Sequence, residues 1–126
     1  MSQHDILLVE DDPSMREYLQ YILRDAGYTV TAATTASEAC DCLASSSFDL
    51  LITDHFLSGM LGAELITRVR VSHPRMRTVL MSSNPNIAFI ANAIEVDGWF
   101  AKSPAVADFL HMIHRIVADD DECRLP

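Results

Sequence analysis

Basic residues are scarce in this chain: nine Lys and Arg stand against eighteen Asp and Glu, a formal charge of −9. That balance argues against direct nucleic-acid binding, which requires a basic face able to displace condensed counterions. Long apolar runs are missing too. The longest fall far short of the roughly 20 residues a membrane helix needs, so no membrane span is expected. Met1-Ser2-Gln3-His4-Asp5 has no basic region leading into an apolar core. No signal peptide is expected there, and the cytoplasm is the default compartment. Cysteines are few and odd in number, and Cys40, Cys42 and Cys123 have no zinc-ligand spacing. Cys40 and Cys42 fall on an expected helix at positions that do not share a face. Reduced cytosolic thiols are the reading that fits. Neither internal repeats nor a second domain is expected within these residues.

What is present suits one soluble domain with a real core: 126 residues, 49% of them hydrophobic. Apolar strand-like runs alternate five times with helical patterns, which argues for a parallel α/β sheet. Strands are expected at about Ile6 to Val9, Thr29 to Ala33, Phe48 to Asp54, Thr78 to Met81 and Trp99 to Ala101. The second alternates apolar residues with threonines and reads as an edge. Asp12 and Pro13 suit an N-cap and first turn, and Gly27 the residue after the helix end. Thr35-Ala36-Ser37-Glu38 fits a capping box. Leu65, Ile66 and Val69 form a stripe on a helix from about Gly62 to Ser72, stopped by His73-Pro74. A fourth helix is expected from about Pro85, and a fifth opens at Ser103-Pro104. The domain built from these elements is expected to span residues 1–118. The like-charge block Asp119 to Glu122 then starts a fraying acidic tail or linker over 119–126.

Four strand ends carry chemistry. The first ends in Glu10-Asp11-Asp12, the third in Asp54, the fourth in Ser82-Ser83 and the last in Lys102. In an open parallel sheet the carboxyl ends of the strands line the ligand crevice. Carboxylates crowded at one rim repel each other unless a counter-charge joins them. A hard cation such as Mg²⁺ resolves this with one or two carboxylates, water and phosphate oxygens. Asp11 and Asp54 are the primary candidate ligands, with Glu10 acting directly or through water. Lys102 could pair with Asp54 or grip a phosphoryl oxygen, and Ser82 could donate to the same oxygen. Taken alone, Asp12 is only an N-cap, Lys102 a solvated charge and Ser82 a loop residue; their occurrence on successive strand ends is the signal. His55 reads as a solvent-facing neighbour of Asp54. His111 and His114 read as a solvated helix face, and Met76, Met81 and Met112 as core or rim residues.

These residues resemble the receiver domain of two-component response regulators over positions 5 to about 118. Ile6-Leu7-Leu8-Val9-Glu10-Asp11-Asp12-Pro13 looks like that family's first strand and acidic pocket, and Asp49 to Gly62 like its phosphoacceptor strand and loop. Thr78 to Ser83 and Trp99-Phe100-Ala101-Lys102 resemble the strands of its switch hydroxyl, switch aromatic and lysine. The resemblance implies a doubly wound, flavodoxin-like five-stranded parallel sheet of order 2-1-3-4-5. It implies Asp54 as phosphoacceptor, and Mg²⁺ held by Glu10, Asp11, Asp54 and the backbone carbonyl of Phe56. Lys102 and Ser82 would contact the phosphoryl group, with Ser82 and Trp99 as switch residues. The implied partners are a sensor histidine kinase or histidine phosphotransfer protein and a downstream protein target; a homodimer is open. The implied role is a phosphoacceptor signalling domain rather than an enzyme, catalysing only its own phosphorylation and dephosphorylation.

Departures from the family pattern are Ser58 in place of proline, Leu61 in place of an acid, Ser103 before Pro104, and a Ser82-to-Lys102 interval about two residues short. Trp99 is also bulkier than the usual tyrosine or phenylalanine. A pseudo-receiver that binds partners without phosphorylation is therefore the alternative. An aspartyl phosphatase is disfavoured because Phe56 stands where such enzymes carry a second acid. A flavin module is disfavoured because Glu10-Asp11-Asp12 would repel the cofactor phosphate.

Overall fold

Strands with unbroken apolar runs belong where both faces of a sheet are covered. Three such runs take the centre of the sheet: β1 (Asp5–Val9), β3 (Leu50–Asp54) and β4 (Arg77–Ser82). β2 (Thr29–Ala33), with its alternating threonines, and the four-residue β5 (Gly98–Ala101) take the edges. The order is β2-β1-β3-β4-β5, and every pairing is parallel. This is the expected doubly wound sheet, and β2 is an edge as its pattern predicts. The computed structural model describes residues 4–84, 86–102 and 105–123. The expected helix starts at Pro85 and Ser103-Pro104 lie outside the described residues, as do the side chain of Cys123 and the end of the tail.

Among the described residues, five helices cover the two faces: α1 (Pro13–Asp25), α2 (Ala36–Ser45), α3 (Gly62–Ser72), α4 (Ile87–Ile94) and α5 (Val106–Cys123). Side-chain alternation along the strands divides the core in two. Ile6, Leu8, Ile52 and Met81 pack with α1 and α5 through Leu19, Leu23, Phe109 and Ile113. Leu7, Val9, Leu51 and Leu80 pack with α2, α3 and α4 through Leu43, Leu65, Ile66 and Ile87. Met76 and Met81 are buried and Met112 packs partly against the core, as expected.

The caps follow their residues. The Asp12 carboxylate accepts the Met15 N–H at 2.8 Å, Pro13 opens α1, and Gly27 sits beyond its end at φ 102°. At α2, Thr35 Oγ1 accepts the Glu38 N–H (3.1 Å), while the Glu38 carboxylate accepts from Thr34 rather than from Thr35. The capping box is thus displaced by one residue. α5 departs from expectation, since its backbone stays helical through Cys123 and residues 119–123 continue it. A helix already packed along its length propagates at little cost into one further turn, and this outweighs the local charge repulsion.

α4 has eight residues, in keeping with the short interval between Ser82 and Lys102, and ends at Glu95 in the left-handed region (φ 56°). Arg70 holds this turn, donating to the Glu95 carbonyl at 2.7 Å. A residue with a Cβ costs about 1–2 kcal/mol in that conformation, partly offset by the extra chain entropy of glycine. Glu95→Gly keeps the carbonyl acceptor and loses only an exposed 3.6 Å ion pair with Arg70. It is expected to stabilise the fold by about 0.5–1 kcal/mol, read as a higher urea midpoint at unchanged slope.

Candidate functional site

Register sets the site. Val9 pairs with Thr53, Asp54 with Met81, and Ser82 with Ala101. Glu10, Asp54, Ser82 and Lys102 therefore stand at or just past the ends of β1, β3, β4 and β5, on one rim. Glu10 N–H donates to the Ala33 carbonyl of β2 (3.1 Å), and Lys102 N–H to the Ser82 carbonyl (2.9 Å), so both residues extend the ladder by one step.

The lysine crosses the crevice. Lys102 Nζ donates to Glu10 Oε1 at 2.9 Å and to Asp54 Oδ2 at 3.0 Å. Glu10 is fully buried and Asp54 nearly so, while Asp11 is exposed at the mouth. Ligand atoms of Glu10, Asp11 and Asp54 lie within 4.8 Å of one another. Burial, seconded by the Asp54 charge, raises the Glu10 pKa despite the lowering effect of Lys102. Burial alone would lower the Lys102 pKa, but its bonds to Glu10 and Asp54 outweigh this and raise it. One buried oxygen, Glu10 Oε2, has no hydrogen-bond partner. An orphaned carboxylate oxygen beside two further carboxylates suits a hard, oxygen-seeking cation.

The Ser82 hydroxyl is buried and accepts the Asn84 N–H at 3.0 Å, which leaves its own proton available to donate. Trp99 is 41% exposed on the outer edge of β5. It borders an open depression of about 360 Å³ together with Ala91, Val96, Met112 and Arg115. Phe56 projects outward and is bridged across its loop to Leu61.

Three features escape a reading of the sequence, and one expectation is corrected. His55 is buried, not solvent-facing: its ring packs edge-on against Phe56 at 4.8 Å, and its Nδ1 has no partner. Burial lowers its pKa against the opposing effect of Asp54. Beside it the chain after β3 returns closely on itself, the Gly62 N–H donating to the His55 carbonyl at 2.6 Å. Gly62 enables that return, because a Cβ there would lie 2.2 Å from the Asp54 carbonyl oxygen. Arg16 reaches back from α1 to the Glu10 carbonyl (3.1 Å). His111 and His114 are exposed as expected, yet His114 Nδ1 also bonds the Tyr28 hydroxyl and so ties α5 to the start of β2. Only the glycine had a local signal, its place at the start of a helix. Cys40 and Cys42 are free thiols.

A doubly wound parallel sheet with a lysine-bridged carboxylate cluster at its carboxyl rim defines an α/β module of flavodoxin-like type. Residues 6–114 match the response regulator receiver domain, and the chain belongs to that family. It is 39% identical over 110 residues to an uncharacterized 14.6 kDa protein in the sodA1 3′ region of Leptolyngbya boryana, covering 87% of this chain and 79% of that protein. It is 33% identical over 113 residues to the nitrogen assimilation regulatory protein NtrX of Azorhizobium caulinodans, covering 87% of this chain and 25% of that protein. The signal receiver domain of an HD domain-containing protein from Pseudomonas fluorescens Pf-5 matches with a TM-score of 0.90 and 26% identity, covering 96% of this chain and 99% of that one. The chain thus spans most of one relative and a quarter of the other. Family membership assigns it to two-component signalling. Among the described residues, no helix is long and apolar enough to cross a membrane.

Proposed function

We propose that this chain is a cytoplasmic phosphorylation switch that takes a phosphoryl group onto Asp54 from a sensor histidine kinase or phosphotransfer protein. The observation that carries the reading is the Lys102 ammonium held between two buried carboxylates, Glu10 and Asp54. Such an ammonium has little use in the interior other than to balance charge and to meet a further anion. An Asp54 oxygen attacks the phosphorus of phosphohistidine; the new O–P bond forms as the P–N bond breaks, and its electron pair stays on the imidazole. Lys102 binds a phosphoryl oxygen with a charge-assisted bond, and the Ser82 hydroxyl donates to another. Glu10, Asp11, Asp54 and the Phe56 carbonyl would hold Mg²⁺, which when bound neutralises the carboxylates and the developing phosphoryl charge. Positioning and electrostatics then supply the catalysis, so no external substrate is turned over.

Movement of Ser82 toward the phosphoryl group would strip the Asn84 N–H of its acceptor and disturb the start of α4. Trp99 on the neighbouring strand would repack, and the surface of α4, β5 and α5 would change its affinity for a downstream protein. The receiver is read as residues 1–118, with 119–126 as tail or linker.

Incubation with Mg²⁺ and a small phosphodonor, followed by intact mass measurement, is expected to add one phosphoryl group to wild type and none to Asp54→Asn. No adduct on wild type, or an equal one on the variant, sinks the proposal. Trp99, the single tryptophan, is expected to change its fluorescence on phosphorylation; a flat signal removes the coupling to β5.

A further inference from the structure

Glu10 occupies an awkward place in the ladder. It lies one residue beyond β1, its side chain is fully buried, and its N–H bonds back to Ala33. Its carbonyl faces β2 as its N–H does, and the pairing of β1 with β2 ends at Val9 and Ala33, so no ladder donor from β2 meets it. A carbonyl in a buried turn needs a donor from elsewhere. Arg16 supplies it: Nη1 donates to the Glu10 oxygen at 3.1 Å from one turn inside α1. Arg16 is itself anchored. Its backbone N–H donates to the Asp12 carbonyl (2.9 Å), the first hydrogen bond of α1. Its guanidinium also helps hold the Glu38 carboxylate below its ordinary pKa, after the larger effect of the Thr34 bonds. One side chain therefore ties the turn Glu10-Asp11-Asp12 to the start of α1.

We infer that Arg16 is a positioning residue for the cation pocket. It fixes the peptide between Glu10 and Asp11 and thereby sets where both carboxylates point. The inference rests on the reading of Glu10, Asp11 and Asp54 as Mg²⁺ ligands. The alternative physical effect of Arg16 has the opposite sign. A positive charge near the pocket would repel Mg²⁺, and its removal would then tighten binding. Support groups behind metal ligands, when removed, typically weaken metal binding by about 10–100-fold. Arg16 acts on the backbone rather than on a ligand oxygen, so the lower end of that range applies.

The test is isothermal titration of the unphosphorylated protein with Mg²⁺, on wild type, Arg16→Met, Arg16→Lys and Arg24→Met. Arg24 is the internal control, since it lies on the same helix and donates to the Val30 carbonyl at 2.9 Å, away from the rim. Arg16→Met is expected to weaken Mg²⁺ binding about ten-fold, and Arg16→Lys, which keeps a donor for the carbonyl, to recover most of it. Arg24→Met is expected to bind as wild type does, whatever its urea midpoint. Unchanged or tighter binding by Arg16→Met overturns the inference, and so does an equal loss in Arg24→Met. Wild type that binds no Mg²⁺ overturns both the inference and the cation reading beneath it. A wild type that binds Mg²⁺, matched in affinity by Arg16→Met, removes the inference alone.

Discussion

Lys102→Met is expected to lower stability by about 3 kcal/mol at neutral pH in chelator, the lower end of the cost of orphaning buried charge. Glu10 and Asp54 both lose the Lys102 ammonium that pairs with them, while remaining buried. Two carboxylates at the cluster's separation of 4.8 Å repel by about 3.5 kcal/mol at an effective dielectric of 20. Protonation of Glu10, whose pKa burial already raises, limits the damage. The sign follows from that direction. A carboxyl with a raised folded pKa binds more protons folded than unfolded, so its penalty is absent below its ordinary value. The penalty grows as pH rises through the folded pKa. The variant should therefore approach wild type in mildly acidic buffer and fall away toward neutrality. Mg²⁺ at one hundred times its dissociation constant should return about 2.7 kcal/mol. Urea titrations at two pH values, with and without Mg²⁺, check each part. A variant as stable as wild type in chelator at neutral pH would show that the carboxylates do not depend on the lysine. Phosphorylation of the same variant should slow on the order of 10²–10³-fold, as when one donor to a developing anion is lost.

Gly62→Ala is the second large effect, and it acts on the backbone. The added Cβ would fall 2.2 Å from the Asp54 carbonyl oxygen and 2.9 Å from both Asp54 C and His55 Cα. Backbone atoms cannot step aside as a flexible side chain can. α3 must move outward, or the chain after β3 must shift and carry Asp54 with it. The Gly62 N–H bond to the His55 carbonyl (2.6 Å) and the cover over the buried His55 ring would go with that movement. Overpacking of this kind costs about 1–3 kcal/mol or more, on the order of 5–15 °C in Tm for a domain of this size. Phosphorylation should fall further than the stability loss explains, because a displaced carboxylate loses its aim. Thermal unfolding compared with the rate of adduct formation at a temperature where both proteins are folded separates the two. Equal Tm and equal rate would mean the close approach carries no cost.

Most of the architecture was legible in the chain. The threonine alternation put β2 at an edge, the family resemblance supplied the strand order, and Asp12-Pro13, Gly27 and His73-Pro74 marked helix ends. The misses have separate physical causes. The charge of Asp119 to Glu122 argued for fraying, but propagation from a packed helix carried α5 to Cys123. His55 read as exposed because a polar residue after a strand end usually is. The fold buries it, with the Phe56 ring packed edge-on against it. The bond from Arg16 to Glu10 had no sequence signature, because any arginine on the polar side of α1 reads as solvated.

The cluster of acids, hydroxyl and lysine was the part that the amino-acid order determined by itself. Residues at the ends of successive parallel strands must share a rim, whatever the loops do, because parallel pairing aligns strand ends. Tertiary structure decided how those groups meet: Lys102 bridges Glu10 and Asp54 rather than pairing with Asp54 alone. It left Glu10 Oε2 buried without a partner, and it brought Arg16 behind the Glu10 carbonyl. Those outcomes depend on register, side-chain reach and burial to within about an ångström. Composition and spacing do not encode distances on that scale; packing of the helices on the sheet sets them.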